Sequence, residues 1–286
     1  KPTNVDSVSR FTAERFAQWL DVYQGDERPF FAFLNFGDPH LACKPLEPFL
    51  SQFLAEGVTP EEAMAMRQNA HGQIAGFMEW DEEKWRILQS LNDGAVAQAD
   101  HRVGLVYEAM QQHQLLDRTL FIITSDHGDV YWEHPPLMAH VMNVYDCCLH
   151  TPLIVRLPGC FEGGRRVTSL VQPTDFLPTF MELLGVDAPE ALGHIQGGSL
   201  VRAMDGEVRD IVYAEDAFPW NEMERYKRYT EAPDLARDMR DLYRFLRTIR
   251  DHEYKYIYSS RGDDELYRVS EDPEEQHNLV ETERER

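Results

Sequence analysis

Lysine is scarce in this sequence. Five occur, at positions 1, 44, 84, 227 and 255, against 50 aspartates and glutamates, and the formal net charge is −22. A surface of that sign repels phosphate backbones and anionic lipid, so nucleic acid and membrane surfaces are excluded as partners. Avoidance of lysine beside abundant carboxylates also predicts stability that rises with salt. No run of about 18 apolar residues exists, so no segment reads as a membrane-spanning helix. Cysteine is limited to Cys43, Cys147, Cys148 and Cys160, with no C-x-x-C pair and no zinc-type spacing. Adjacent Cys147 and Cys148 are poorly spaced to bridge each other, and all four read as small buried side chains. Repeats and low-complexity tracts are absent. So are an initiating methionine and a signal-like segment at Lys1. The chain therefore reads as part of a longer protein, and its compartment is not written in this part.

What is present supports a sizeable core: 286 residues, 43% of them hydrophobic, enough for one large domain or one domain plus a smaller one. Residues 11–20 predict a helix with Phe11, Phe16, Trp19 and Leu20 on one face. Pro29 opens an apolar strand over 30–36. Residues 60–90 and 93–113 predict two amphipathic helices, the first opening on Pro60-Glu61-Glu62 and the second turning Val96, Val103, Val106 and Met110 inward. Short buried strands follow at 120–123, 152–155 and near Val171, with a helix from Thr174-Asp175 to Gly185. This alternation predicts an α/β fold with a mostly parallel central sheet flanked by helices over 1–204. Beyond residue 205, short strand candidates at 211–214, 243–249, 254–258 and 265–269 predict a small antiparallel sheet subdomain, 205–286. The charged stretch 216–240 reads as an exposed linker.

Chemistry concentrates where strands end. The run Leu120-Phe121-Ile122-Ile123 leads into Thr124-Ser125-Asp126-His127-Gly128. The carboxyl edge of an open α/β sheet collects ligands, and oxygen beside imidazole suits a divalent metal. Taken alone, Asp-His-Gly is as readily a turn. Asp38-Pro39-His40 also follows a strand, and His134 and His140 lie in the long loop 125–143. Four histidines with carboxylates at strand ends point to a metal or catalytic site.

These segments resemble the sulfatase family of the alkaline-phosphatase superfamily. The matching stretches are FAFLNFGDPH (31–40), LLDRTLFIITSDHGD (115–129) and HVMNVYDCCLHTPLIVRLPG (140–159). VQPTDFLPTFMELLGV (171–186), IQGGSL (195–200) and the C-terminal signature RDHEYKYIYSSRGDDELYRVSEDPEEQHNLV (250–280) follow in family order. The resemblance implies an alkaline-phosphatase-like fold and a metal-dependent sulfuric ester hydrolase. It implies that Asp126 and His127 hold one divalent cation, usually calcium, with magnesium or manganese as alternatives. Asp126 is the firmer ligand, while His127 either binds the cation or hydrogen-bonds the substrate. His40 would protonate the leaving oxygen. His140 stands where many sulfatases have a lysine and would neutralise a sulfate oxygen when protonated. His134 and Lys44 are candidate substrate contacts, as are Trp220 and Arg225 in the linker. The implied partner is a sulfated small molecule or sugar. Oligomeric state has no signal in the sequence.

The family pattern is incomplete here. Its Asp-Asp metal pair and its Cys/Ser-x-Pro-x-Arg motif, whose first residue matures to formylglycine, are absent. Cys43-Lys44-Pro45-Leu46-Glu47 has Glu47 in place of the arginine and follows Asp-Pro-His, so Cys43 is not expected to be the nucleophile. A missing N-terminal segment accounts for this, and the chain alone is expected to be inactive. Two other readings remain. One is a phosphodiesterase or phosphonate monoester hydrolase of the same superfamily, with His134 or His140 serving a second metal. The other is a catalytically inactive anion-binding homologue.

Overall fold

A computed structural model describes residues 6–24, 28–78, 80–186, 193–206, 209–217 and 242–283. These residues fall into two compact units, 6–119 with 135–139, and 120–134 with the described residues from 140 onward. Among the described residues, no helix is long and apolar enough to cross a membrane.

The first unit is helical. α1 (Asp6–Tyr23) buries Ser9, Ala13, Phe16 and Leu20, one stripe at helical spacing. Phe11 and Trp19, expected on that stripe, are 54% and 41% exposed. Trp19 instead stacks on Tyr23, with Phe30 against its edge. α2 (Phe49–Phe53) is followed by α3 (Pro60–Ala65), which opens on a Thr59/Glu62 capping box, and by α4 (Ala70–Ile74), capped by Asn69. The long helix α5 (Glu82–Gln112) begins where the Asp81 carboxylate accepts from Lys84 N–H.

α5 corrects the expected pair of helices over 60–90 and 93–113. The expected gap between residues 90 and 93 lies inside this one helix. A Cβ on Gly94 would come within 2.9 Å of the Phe49 carbonyl and 3.0 Å of Pro45. The glycine is there for close approach of the loop, which outweighs its helix cost of about 1 kcal/mol. The loop packs Cys43 and Leu50 against Ala63, Leu91 and Ala95.

The second unit holds both sheets. β1 (Phe121–Thr124) pairs with β2 (Leu153–Arg156), with Thr124 opposite Leu153. β3 (Val212–Asp216), β4 (Leu246–Arg250), β5 (Lys255–Ser259) and β6 (Glu265–Tyr267) form an ordered four-stranded meander. The expected C-terminal antiparallel sheet is therefore present. The mostly parallel central sheet is not seen: every ladder among the described residues is antiparallel. Residues 30–36 form no ladder, and Phe31 and Phe33 stand 80% and 81% exposed. Central strands of a parallel sheet need ladder neighbours on both sides, and among the described residues none pairs with this run in a ladder.

Residues near Val171 are not a strand. Pro173–Asp175 make a 3-10 turn leading into α7 (Phe176–Leu184), and Asp175 is fully buried. Its carboxylate accepts from Gln172 N, Gly198 N and the Arg209 guanidinium. A Cβ at Gly197 would sit 1.9 Å from the Thr174 carbonyl. The second glycine pair of the chain, Gly197-Gly198, is thus fitted to the buried aspartate. Past it, α8 (Leu200–Ala203) is capped by Ser199.

Candidate functional site

The carboxyl end of β1 turns at Gly128 because nothing larger fits. Gly128 N donates to the Cys148 carbonyl at 2.8 Å, and a Cβ there would meet the Cys147 carbonyl at 2.0 Å. The one-turn helix α6 (Asp146–Leu149), which carries both cysteines, therefore clamps the turn. Just before it, Asp126 Oδ1 accepts from His127 N at 3.1 Å, and the Asp126 side chain is 89% exposed.

The loop then brings His140 back onto His127. Their ring centroids lie 3.8 Å apart with 33° between planes. His127 Nδ1 is 2.9 Å from the Gly128 carbonyl, and His140 Nδ1 is 3.0 Å from Asp129 Oδ1. A carbonyl has no proton to give, so His127 Nδ1 donates to Gly128, while His127 Nε2 lies 3.8 Å from Asp126 Oδ2. The hydrogen bond that His140 donates to Asp129 raises the His140 pKa, against partial burial that lowers it. Buried Ala139 and Met142, on either side of His140, both adopt positive φ, 64° and 61°. Such conformations cost of order 1 kcal/mol or more and persist where the surroundings hold them. Asp129 was not singled out from sequence. Its signal was the fourth residue of Asp-His-Gly-Asp, placed to reach a returning loop.

His134 stacks flat on Tyr145, with centroids 3.6 Å apart and planes within 2°. Burial lowers its pKa, partly offset by the Glu265 carboxylate. Tyr145 donates to Glu265 at 2.8 Å, Tyr267 donates to it at 2.6 Å, and Arg244 lies 3.3 Å from it. Beside this group, fully buried Lys255 lies 2.8 Å from Asp146 and 2.6 Å from Glu275. Asp146 also faces Arg250 at 3.0 Å, and its N–H donates to Glu275 at 2.6 Å. The Lys-Tyr, Glu-Leu-Tyr and Glu-x-x-Asn elements of the C-terminal signature thus join the meander to the Tyr145-Asp146 corner. Asn278 adds a backbone clasp, accepting from Leu266 N and Val280 N at 3.0 Å.

The remaining candidates lie in the first unit. His40 is exposed, with Nδ1 against the Leu41 carbonyl, and Lys44 is exposed. The turn carrying His40 is held by buried Ser9, whose hydroxyl accepts from Gly37 N and Asp38 N, and by Gln98, which donates to Asp38 at 3.3 Å. Cys43 is 1% exposed, donates to the Pro39 carbonyl, and has its backbone bracketed by Gln68. A thiol so enclosed cannot reach a substrate, consistent with its expected exclusion as nucleophile. Trp220 and Arg225 lie outside the described residues.

The family model described as Sulfatase matches residues 5–186. The chain belongs to the sulfatase family. A second model, the C-terminal region of N-sulphoglucosamine sulphohydrolase, matches residues 140–286 of this sulfatase-family chain. The chain is 27% identical to an N-acetylglucosamine-6-O-sulfatase of Bacteroides thetaiotaomicron over 77% of its own length and 38% of that protein. It is 26% identical to a choline-sulfatase of Rhizobium meliloti over 98% of its length and 52% of that protein. Its fold matches the crystal structure of a phosphonate monoester hydrolase of Agrobacterium radiobacter with a TM-score of 0.71 at 23% identity, covering 96% of this chain and 57% of that one. This sulfatase-family chain spans about a third to a half of the curated relatives' length.

Proposed function

We propose that this chain is part of a metal-dependent sulfuric ester hydrolase acting on a sulfated small molecule or sugar. The observation that carries the reading is the pair of imidazoles at the carboxyl end of β1, with His140 held on Asp129. A histidine whose charged form is favoured by a carboxylate can bind a sulfate oxygen. Asp126, open to solvent beside them, fits a hard cation as one oxygen donor, with His127 beside it. By resemblance that cation is calcium, with magnesium or manganese as alternatives, and when bound it would neutralise charge on the sulfate.

The rest follows from this chain's own groups. His40, exposed at a turn braced by Ser9 and Gln98, would give a proton to the departing alcohol oxygen. Lys44 would hold an anionic part of the substrate. His134, kept neutral by burial, would line the alcohol side as a hydrogen-bonding group. The nucleophile belongs to the family motif that this sequence lacks. In the complete protein, residues 30–36 would gain sheet neighbours, supplying the parallel central sheet, and 205–286 would form the small C-terminal subdomain. The exposure of Phe31 and Phe33 supports that arrangement.

The test uses the full-length enzyme containing this chain. His140→Gln should lower kcat/KM for a sulfate monoester by about 100-fold. His140→Lys should keep activity while extending it to higher pH, because lysine stays protonated there. Equal rates for wild type and His140→Gln would overturn the assignment. The fold shared with a phosphonate monoester hydrolase supports a second reading. Faster turnover of a phosphonate monoester than of its sulfate counterpart, with two metal ions per chain, would favour it. Turnover of an aryl sulfate by the 286-residue chain alone would show that the nucleophile lies within it after all.

A further inference from the structure

We infer that Lys255 is a positioning residue for the candidate site, holding in place the turn that carries Asp126 and His127. It acts through Asp146 and the one-turn helix α6, and the role rests on the reading of this turn as part of the reacting site.

Lys255 is fully buried, so it acts only through what it grips. Its Nζ lies 2.8 Å from Asp146 and 2.6 Å from Glu275. Asp146 also has Arg250 at 3.0 Å, and its N–H donates to Glu275 at 2.6 Å. Three side chains of the C-terminal segment thus close on the first residue of α6. That helix has four residues and no side-chain cap, too little to fix its own position. Whatever holds Asp146 places it.

The following residues of α6 carry the turn. Gly128 N donates to the Cys148 carbonyl at 2.8 Å, and a Cβ at Gly128 would come within 2.0 Å of the Cys147 carbonyl. Backbone packed that closely cannot slide independently of α6. The Gly128 carbonyl accepts from His127 Nδ1 at 2.9 Å, and Asp126 accepts from His127 N at 3.1 Å. The residue before the helix bears another group of the same loop. Tyr145 stacks on His134 and donates to Glu265 at 2.8 Å. A displacement of α6 therefore reaches Asp126, His127 and His134 together.

Stability alone is a weak reason for a lysine at this place. Replacing a buried ion pair by apolar groups of similar volume is often neutral or stabilising. What charge pairing adds here is one fixed arrangement of Asp146 against the meander.

The experiment compares full-length wild type, Lys255→Met, Lys255→Met/Glu275→Gln and Asp175→Asn, each in its folded state. Asp175 is fully buried in another network of the same unit and serves as the stability control. Lys255→Met and the double variant should both speed hydrogen exchange at the Gly128 amide by at least about 10-fold. Both should lower kcat/KM for a sulfate monoester by about 100-fold, the effect of misplacing reacting groups by about 1 Å. The double variant should regain stability without regaining either property, since Asp146 still lacks its lysine. Asp175→Asn should lose stability and change neither readout. If Lys255→Met does not fold, the double variant carries the comparison. In wild type, the Gly128 amide and the β5 amides should exchange with the same urea dependence. Unchanged Gly128 exchange in the folded variants overturns the inference. So does activity that returns with stability in the double variant, or distinct urea dependences in wild type. Faster Gly128 exchange in an enzyme that turns over no sulfate ester would sink the hydrolase reading alone and leave the hold on the turn standing.

Discussion

Replacing Lys255 with methionine removes the cation from a buried group that keeps its carboxylates. Lys255 is fully enclosed, 2.8 Å from Asp146 and 2.6 Å from Glu275. Asp146 retains Arg250 at 3.0 Å. Glu275, only 2% exposed, keeps the Asp146 N–H at 2.6 Å, and among the described residues no other cation pairs with it. The cost therefore falls mainly on Glu275. Breaking a buried pair by removing one partner costs about 3–5 kcal/mol, because the other charge is left uncompensated. With a urea dependence of about 2 kcal/mol/M, that is a midpoint shift of about 2 M for the unit containing the meander.

The sign of the pH dependence is also set. Burial already raises the Glu275 pKa above its usual 4.5, with Lys255 opposing the shift. Removing Lys255 raises it further. A carboxyl with a raised folded pKa has its full stability below the unfolded pKa and loses it as pH rises through the folded value. The variant's deficit should therefore be largest at pH about 8 and shrink toward pH about 5. Adding Glu275→Gln should recover part of the loss, since the stranded charge is then gone. Urea unfolding followed by far-UV circular dichroism reads all of this. A Lys255→Met deficit below about 1 kcal/mol at pH 8, or one that does not change with pH, would refute the reasoning.

Gly128→Ala should destabilise the second unit by about 3 kcal/mol, since its Cβ would meet the Cys147 carbonyl at 2.0 Å; a urea midpoint checks this. Asp129→Asn should lower the His140 pKa, read by NMR titration of its imidazole, because the carboxylate is the main cause of the rise. The stability from that pair should be present below the unfolded pKa and fade as pH rises through the folded one. Cys43 should resist a thiol reagent until the chain unfolds, whereas an exposed thiol would react at once. With a net charge of −22, the melting temperature should rise from low to molar salt; no rise would count against adaptation to high salt.

Local elements were legible where one residue type forces one conformation. Thr59-Pro60-x-Glu62 announces a helix start, and Gly185 its end after α7, in the left-handed conformation at φ 62°. The gap expected between helices 60–90 and 93–113 is absent because one helix runs through it, with Gly94 serving close packing. The strand expected over 30–36 failed for a different reason. An apolar run becomes a strand only when a neighbouring strand supplies ladder hydrogen bonds, and among the described residues none pairs with 30–36 in a ladder.

The sequence alone determined the family, through motifs in fixed order, and it marked His127 and His140 as candidates. It determined the net charge of −22 as well, because charge is additive and needs no fold. Tertiary structure decided which of those residues meet. Asp129 joined the site only when the loop returned His140 to it. Lys255, read merely as one of few lysines, became the buried cation between Asp146 and Glu275. Such pairings span 109 positions in the chain, from Asp146 to Lys255, and no local pattern encodes a contact over that distance. Desolvation then sets the protonation states, and burial exists only once the chain has folded.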